Sequence, residues 1–185
     1  MRIIAPIILL AASTAGCAGS QAAAPPTVPR ENPPTTTSPA SATPSTPAPA
    51  EIGAAQDNRG ENYLGKVTAL RIRQPLRTLV SGTGKAGHEY LAIEAKVCVV
   101  ENSRAEKISV SWQPWAVAMA DDTVATPLGS WSSEWFDVPL YPQDRIVRTG
   151  SCVRGWIPFE VPKGAKPRTV SYQPADGDTL DWQVS

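Results

Sequence analysis

One stretch near the C-terminus limits what this chain can become. From Gly150 to Pro162 it reads Gly-Ser-Cys-Val-Arg-Gly-Trp-Ile-Pro-Phe-Glu-Val-Pro, and Lys163-Gly164-Ala165-Lys166-Pro167 closes it. Apolar side chains fall at Val153, Ile157, Phe159 and Val161, with the polar Arg154 and Glu160 among the alternate positions. Successive side chains of a strand point to opposite faces, so this period of two describes a strand that covers a core on one side. Proline ends the run, because it cannot donate to a ladder. Cys152 lies at its start, and Cys98, on another strand-like run, is the one remaining cysteine of the globular part.

That other run, Glu89 to Val100, is the second clear strand. Leu91, Ile93, Ala95, Val97 and Val99 share one face, and Glu94, Lys96 and Cys98 share the other. By the same parity Cys152 falls on the face of Arg154, so both cysteines point away from the apolar set. The expectation is a disulfide between Cys98 and Cys152 on neighbouring antiparallel strands, on the outer face of one sheet. The same register sets Ile93 opposite Ile157 and Leu91 opposite Phe159. Closing a loop of this length stabilises a fold by roughly 4 kcal/mol in the chain-entropy account.

The remaining segments repeat the pattern. Leu70 and Ile72 alternate with Arg71 and Arg73, with the leucine and isoleucine expected inward. Ile108 to Trp112 and Trp115 to Ala120 are short strands broken by Pro114, Asp121-Asp122 makes a turn, and an extended segment follows from Thr123. Arg168 to Tyr172 and Leu180 to Val184 supply the last strands. Helical periodicity is absent. The fold class expected is all-β: an immunoglobulin-like two-sheet antiparallel sandwich of about seven or eight strands.

The N-terminal third has a different composition. Arg2 precedes an apolar run from Ile3 to Ala12, a signal segment too short for a bilayer, which takes about 20 residues. Thr14-Ala15-Gly16-Cys17 resembles the bacterial lipoprotein cleavage box, with Thr14 where leucine is usual. The resemblance implies lipidation of Cys17, palmitate among the acyl chains, and anchorage on the extracytoplasmic face of the cell membrane. Plain secretion through an Ala-x-Ala-like site is the alternative. Two or more acyl chains, at about 0.8 kcal/mol per buried methylene, hold a protein on a membrane stably. Residues 17–59 are largely Ala, Pro, Ser and Thr, with few bulky apolar side chains to offset the entropy of ordering. They are expected to form a disordered tether, reaching up to roughly 100 Å when partly in polyproline II at about 3.1 Å per residue. The divisions expected are therefore residues 1–16 signal peptide, 17–59 tether and 60–185 sandwich.

With these strands in view, the domain resembles the telokin-like, immunoglobulin-fold domain of secreted or membrane-anchored bacterial proteins. The resemblance rests on Val99-Val100-Glu101-Asn102-Ser103 ending a strand, the Asp121-Asp122 hairpin, the strand from Gly150 ending Phe159-Glu160-Val161-Pro162, and the closing Val170-Ser171-Tyr172. The paired cysteines and abundant tryptophan are similar to an actinobacterial branch. What the likeness implies is a fold, and no common activity.

Charge and motif content narrow the chemistry. Lys plus Arg and Asp plus Glu each total 17, so no excess points to nucleic acid or an anionic membrane surface. Ser81-Gly82-Thr83-Gly84-Lys85 lacks the first P-loop glycine, since Leu79 stands there, and Ala86 replaces the hydroxyl residue. His88, the single histidine, sits beside Gly87 in a loop and reads as solvated. A Ser-His-Asp hydrolase needs a placed histidine base and a zinc site several His or Cys ligands. Asp121-Asp122 and Asp176-Gly177-Asp178 are too short for a calcium loop. No enzyme activity, metal or cofactor is expected.

Two readings of function follow. In the first, Trp131, Trp135, Phe136 and Tyr141 form an exposed aromatic face that grips a cell-wall polymer or an exported protein, because rigid rings give contact area at low entropic cost. In the second, the domain is a structural or accessory envelope lipoprotein with no ligand of its own, and its tryptophans pack in the core. Trp156, sharing the parity of Cys152, is the strand tryptophan expected to be partly exposed.

Overall fold

A computed structural model describes residues 48–103, 107–175 and 177–185. Cys17, the signal segment and the tether as far as residue 47 lie outside the described residues.

Among the described residues every element is a strand. In chain order they are β1 (Ala50–Glu51), β2 (Ala55–Gly60), β3 (Tyr63–Arg73), β4 (His88–Asn102), β5 (Lys107–Ser111), β6 (Trp115–Met119), β7 (Val124–Ala125), β8 (Asp144–Arg148), β9 (Cys152–Pro162), β10 (Pro167–Tyr172) and β11 (Leu180–Gln183). A four-stranded sheet runs β2-β3-β4-β9, and a five-stranded sheet runs β1-β11-β10-β6-β7. Strands β5 and β8 form a separate two-stranded ribbon. The pairings are antiparallel except that of β1 with β11. The fold is an all-β sandwich of the immunoglobulin-like kind, with more strands than the seven or eight expected: β5 and β7 lie where short strands were expected, whereas β1, β2 and β8 carry no period-two pattern to mark them.

The start of the sandwich corrects the sequence boundary. β1 and β2 come from residues 50–60, nearly all of which composition assigns to the tether. Their sequence, Ala-Gln-Asp-Asn-Arg-Gly in β2, has no apolar alternation to betray a strand. Tertiary partners hold it instead: Gln56 Nε2 donates to the Asp181 carbonyl, and Trp182 Nε1 donates to the Ala54 carbonyl at 2.7 Å.

The paired central strands follow the pattern their residues encode. Leu91 faces Phe159, Ile93 faces Ile157, Val97 faces Val153 and Cys98 faces Cys152. The inward side chains Leu91, Ile93, Val97, Val99, Ile157, Phe159 and Val161 are buried against Trp115, Val117, Met119, Val170 and Trp182 of the other sheet, in one continuous core. Burying each such aliphatic side chain is worth about 1.5–3 kcal/mol. Trp115 stacks on Trp182 at 5.7 Å and meets Tyr172 at 4.9 Å, the aromatic contribution of the five-stranded layer.

In β3, Ile72 faces Ile93 as its parity requires, but Leu70 is the extra residue of a bulge between Ala69 and Arg71. It is half-buried, where an inward position was expected. The bulge reverses the parity of the strand, which brings Val67 and Ala69 inward while leaving Arg71 and Arg73 outward.

Candidate functional site

The first of the two readings needs the Trp131 to Tyr141 segment to offer an exposed aromatic face, and its placement removes that face. Trp131 is 8% exposed, Phe136 2% and Tyr141 0%, and only Trp135 is half-buried. The reason is the free edge of β9. Leu128 N donates to the Pro158 carbonyl, Trp156 N to the Pro139 carbonyl and Tyr141 N to the Trp156 carbonyl, so the segment runs along that edge and satisfies its backbone groups. Laid there, its rings point into the core. Trp131 meets Trp112 edge-on at 5.4 Å, and Phe136 meets Tyr90 at 5.2 Å. Leu79 N also donates to the Trp135 carbonyl, tying the 74–88 loop to the same segment. Trp112, Trp115, Trp131 and Trp156 are all packing residues.

Trp156 is buried rather than partly exposed. It stands on the outer face of the four-stranded sheet, beside Glu94, and two arginines cover it: the Arg73 and Arg71 guanidinium carbons lie 5.0 and 5.5 Å from its ring centroid. Glu94 is buried as well, although parity placed it outward. Arg71 Nε donates to Glu94 Oε2 at 2.7 Å, and Arg154 Nε donates to Oε1 at 2.9 Å. Burial raises the Glu94 pKa, but the two guanidinium bonds outweigh it and hold the carboxyl below its ordinary range. The Cys98–Cys152 disulfide lies on this same outer face, two rows of residues away. In antibody-type sandwiches the bridge crosses the core instead.

At one end of the sandwich the layers part around a cleft of about 320 Å³. Its apolar wall is Tyr63, Tyr172, Ile108, Val110, Pro114 and Pro174, and its polar groups come from Asn58, Asn102, Ser109 and Ser111. None of the lining residues is ionisable at neutral pH. Gly65 shapes the wall: a Cβ there would stand 1.9 Å from Tyr63 Oη, so only glycine lets that ring lie flat along β3. Ser111 Oγ is already engaged, donating to the Gln143 carbonyl and accepting from Gln113 N. Buried polar atoms surround the cleft. Asn58 Oδ1 and Tyr141 Oη have no hydrogen-bond partner among the described residues. Burial, with Tyr172 and Tyr63 nearby, pushes the Tyr141 phenol above its usual range.

This geometry suits capture of an uncharged group and supplies no acid–base pair. His88 is elsewhere, in a smaller pocket with Glu89, Tyr90 and Glu160. Its Nδ1 lies 3.2 Å from the Ala86 carbonyl. Both neighbouring carboxylates are occupied, Glu89 by Gln74 Nε2 and Gly164 N, and Glu160 by Lys85 N. Among the described residues no three His, Cys, Asp or Glu side chains gather as metal ligands would. The cleft had no sequence signal, because β5, the β2–β3 turn and the end of β10 meet only in space.

The fold is similar to that of MPT63, a secreted protein from Mycobacterium tuberculosis, with a TM-score of 0.55 at 17% identity, over 76% of this chain and 99% of that one. It is also similar to a β-sandwich protein from Clostridium difficile, with a TM-score of 0.44 at 9% identity, over 77% of this chain and all of that one. No family model matches the chain, and no curated protein matches it in sequence. The likeness to MPT63 defines the class as a two-layer β-sandwich and goes no further.

Proposed function

We propose that this is an exported lipoprotein, acylated on Cys17 and held at the outer face of the cell membrane by its Pro/Thr-rich segment, whose sandwich is a non-catalytic binding module. The observation that carries binding is the uncharged cleft between Tyr63 and Tyr172. Apolar walls with a few convergent polar groups are the usual form of a small-molecule site. The anchor rests on Thr14-Ala15-Gly16-Cys17, and the telokin-like assignment on the strand motifs ending at Asn102 and Pro162. The secreted status of MPT63 accords with export.

Native mass spectrometry of the full chain, extracted from membranes in neutral detergent, tests the module. The expected result is a retained small molecule that is lost in Ser109→Trp, whose indole fills the cleft. An identical spectrum for both proteins would remove the cleft from the proposal. For the anchor, Cys17→Ser is expected to move the chain from the membrane fraction to the medium.

The burial of Trp131, Phe136 and Tyr141 favours the second reading, an accessory envelope lipoprotein without a ligand, because it removes the aromatic grip on a polymer or exported protein. Under that reading Ser109→Trp leaves every cellular phenotype unchanged while Cys17→Ser does not.

A further inference from the structure

The balanced charge of the chain hides an unequal distribution. On the outer face of the four-stranded sheet, register places Arg154 opposite Lys96 and Glu94 beside Arg71, with Arg73 two residues further along β3. Three of these four cations, Arg71, Arg154 and Arg73, pair with two carboxylates, Glu94 and Asp137. Glu94 lies beneath the surface with 5% of its side chain exposed, whereas Arg71 and Arg154 are 62% and 56% exposed above it. The charge that meets solvent is therefore positive. Lys96 makes no ion pair with any described residue, and Arg73 reaches Asp137 only at 3.6 Å.

The guanidinium groups are also held in place. Arg71 is fixed through Nε by Glu94 and lies over the Trp156 ring, and its exposed guanidinium makes no hydrogen bond through its terminal nitrogens among the described residues. Arg73 rests on the same ring. Such pre-set forks match tetrahedral oxyanions, and little side-chain entropy is lost when one binds. From Lys96 and Arg154 to Arg73 the cations extend over several residue rows, at about 3.3 Å per residue along a strand. That spread suits a repeating charge better than a single ion. Trp156, the large apolar residue of this part of the face, is buried, so nothing here would insert into a lipid layer.

We propose that this face docks a linear polymer carrying repeated phosphodiester groups, independently of the end cleft. The test titrates the full chain, in neutral detergent, with synthetic poly(glycerol phosphate) at rising salt. Binding is expected, with affinity falling steeply as salt rises. Arg73→Gln with Lys96→Gln, neither residue bonded to Glu94, is expected to weaken binding at least tenfold and to flatten the salt slope by between one and two. Lys163→Gln with Lys166→Gln makes the same change in net charge in the β9–β10 turn and is expected to leave affinity within twofold. Equal loss in both double variants, or none in the first, overturns the proposal. So does equal affinity for polyglutamate, or binding to phosphatidylglycerol added to the micelles without binding to the polymer.

Discussion

Gly155 shows how one missing atom fixes a contact between two segments. A Cβ at this position would stand 2.4 Å from Tyr141 N and 2.6 Å from the Leu140 carbonyl carbon, both backbone atoms. The crossing segment cannot retreat without breaking the 2.8 Å bond from Tyr141 N to the Trp156 carbonyl. Gly155→Ala is therefore expected to cost about 2 kcal/mol, the usual scale of overpacking, read as a lower urea midpoint. Glu94 is the other residue with a measurable signature. Its folded pKa lies below the ordinary 4.5, so the folded state holds this proton less readily than the unfolded chain. The stabilisation is complete above the unfolded value and is lost as pH falls through the folded one. Urea midpoints are expected to stay level on this account from pH 7 to pH 5.5 and to drop below pH 4.5. In Glu94→Gln the midpoint at pH 7 is lower and this acid-dependent component is absent.

At the scale of elements, β4 and β9 form the unit from which the rest can be derived. Their ladder pairs eleven residues, from His88 with Pro162 to Cys98 with Cys152, and the disulfide closes a separation of 54 residues at one end. Cys98→Ser with Cys152→Ser is expected to cost about 4 kcal/mol in urea unfolding at pH 7, because the unfolded chain regains that loop's freedom. A loss below 1 kcal/mol would show that the ladder holds its register without the bridge. This unit was legible because apolar residues fill every second position of β4 from Leu91 to Val99 and, save at Gly155, of β9 from Val153 to Val161. The segment of residues 127–141 was not, since its rings carry no period. Its backbone follows the unpaired edge of β9, and which way a ring turns there depends on the neighbour supplying the edge. Trp156 departs from its expected exposure for a related reason: parity names its face correctly but says nothing of the arginines laid over it.

For the whole molecule, the question is where the folded unit starts. A chain beginning at Glu61 loses β1 and β2, exposes one edge of β3 and one of β11, and leaves Trp182 Nε1 without the Ala54 carbonyl. It is expected to aggregate or melt well below a chain beginning at Ala48, as followed by circular dichroism and light scattering. Equal melting of the two would return residues 50–60 to the tether. Period-two alternation, cysteine parity and proline punctuation determined by themselves that this protein is all-β, that Leu91 to Val99 and Val153 to Val161 face a common core, and that the bridge sits outside it. These are local or pairwise properties, carried by side chains whose direction the strand geometry dictates. Only the tertiary structure decided that β2 belongs to the sheet, that Trp131, Phe136 and Tyr141 are core, and that a cleft and a cationic face exist. Each of these depends on groups distant in the chain meeting in space, and no period along the sequence encodes which of them will meet.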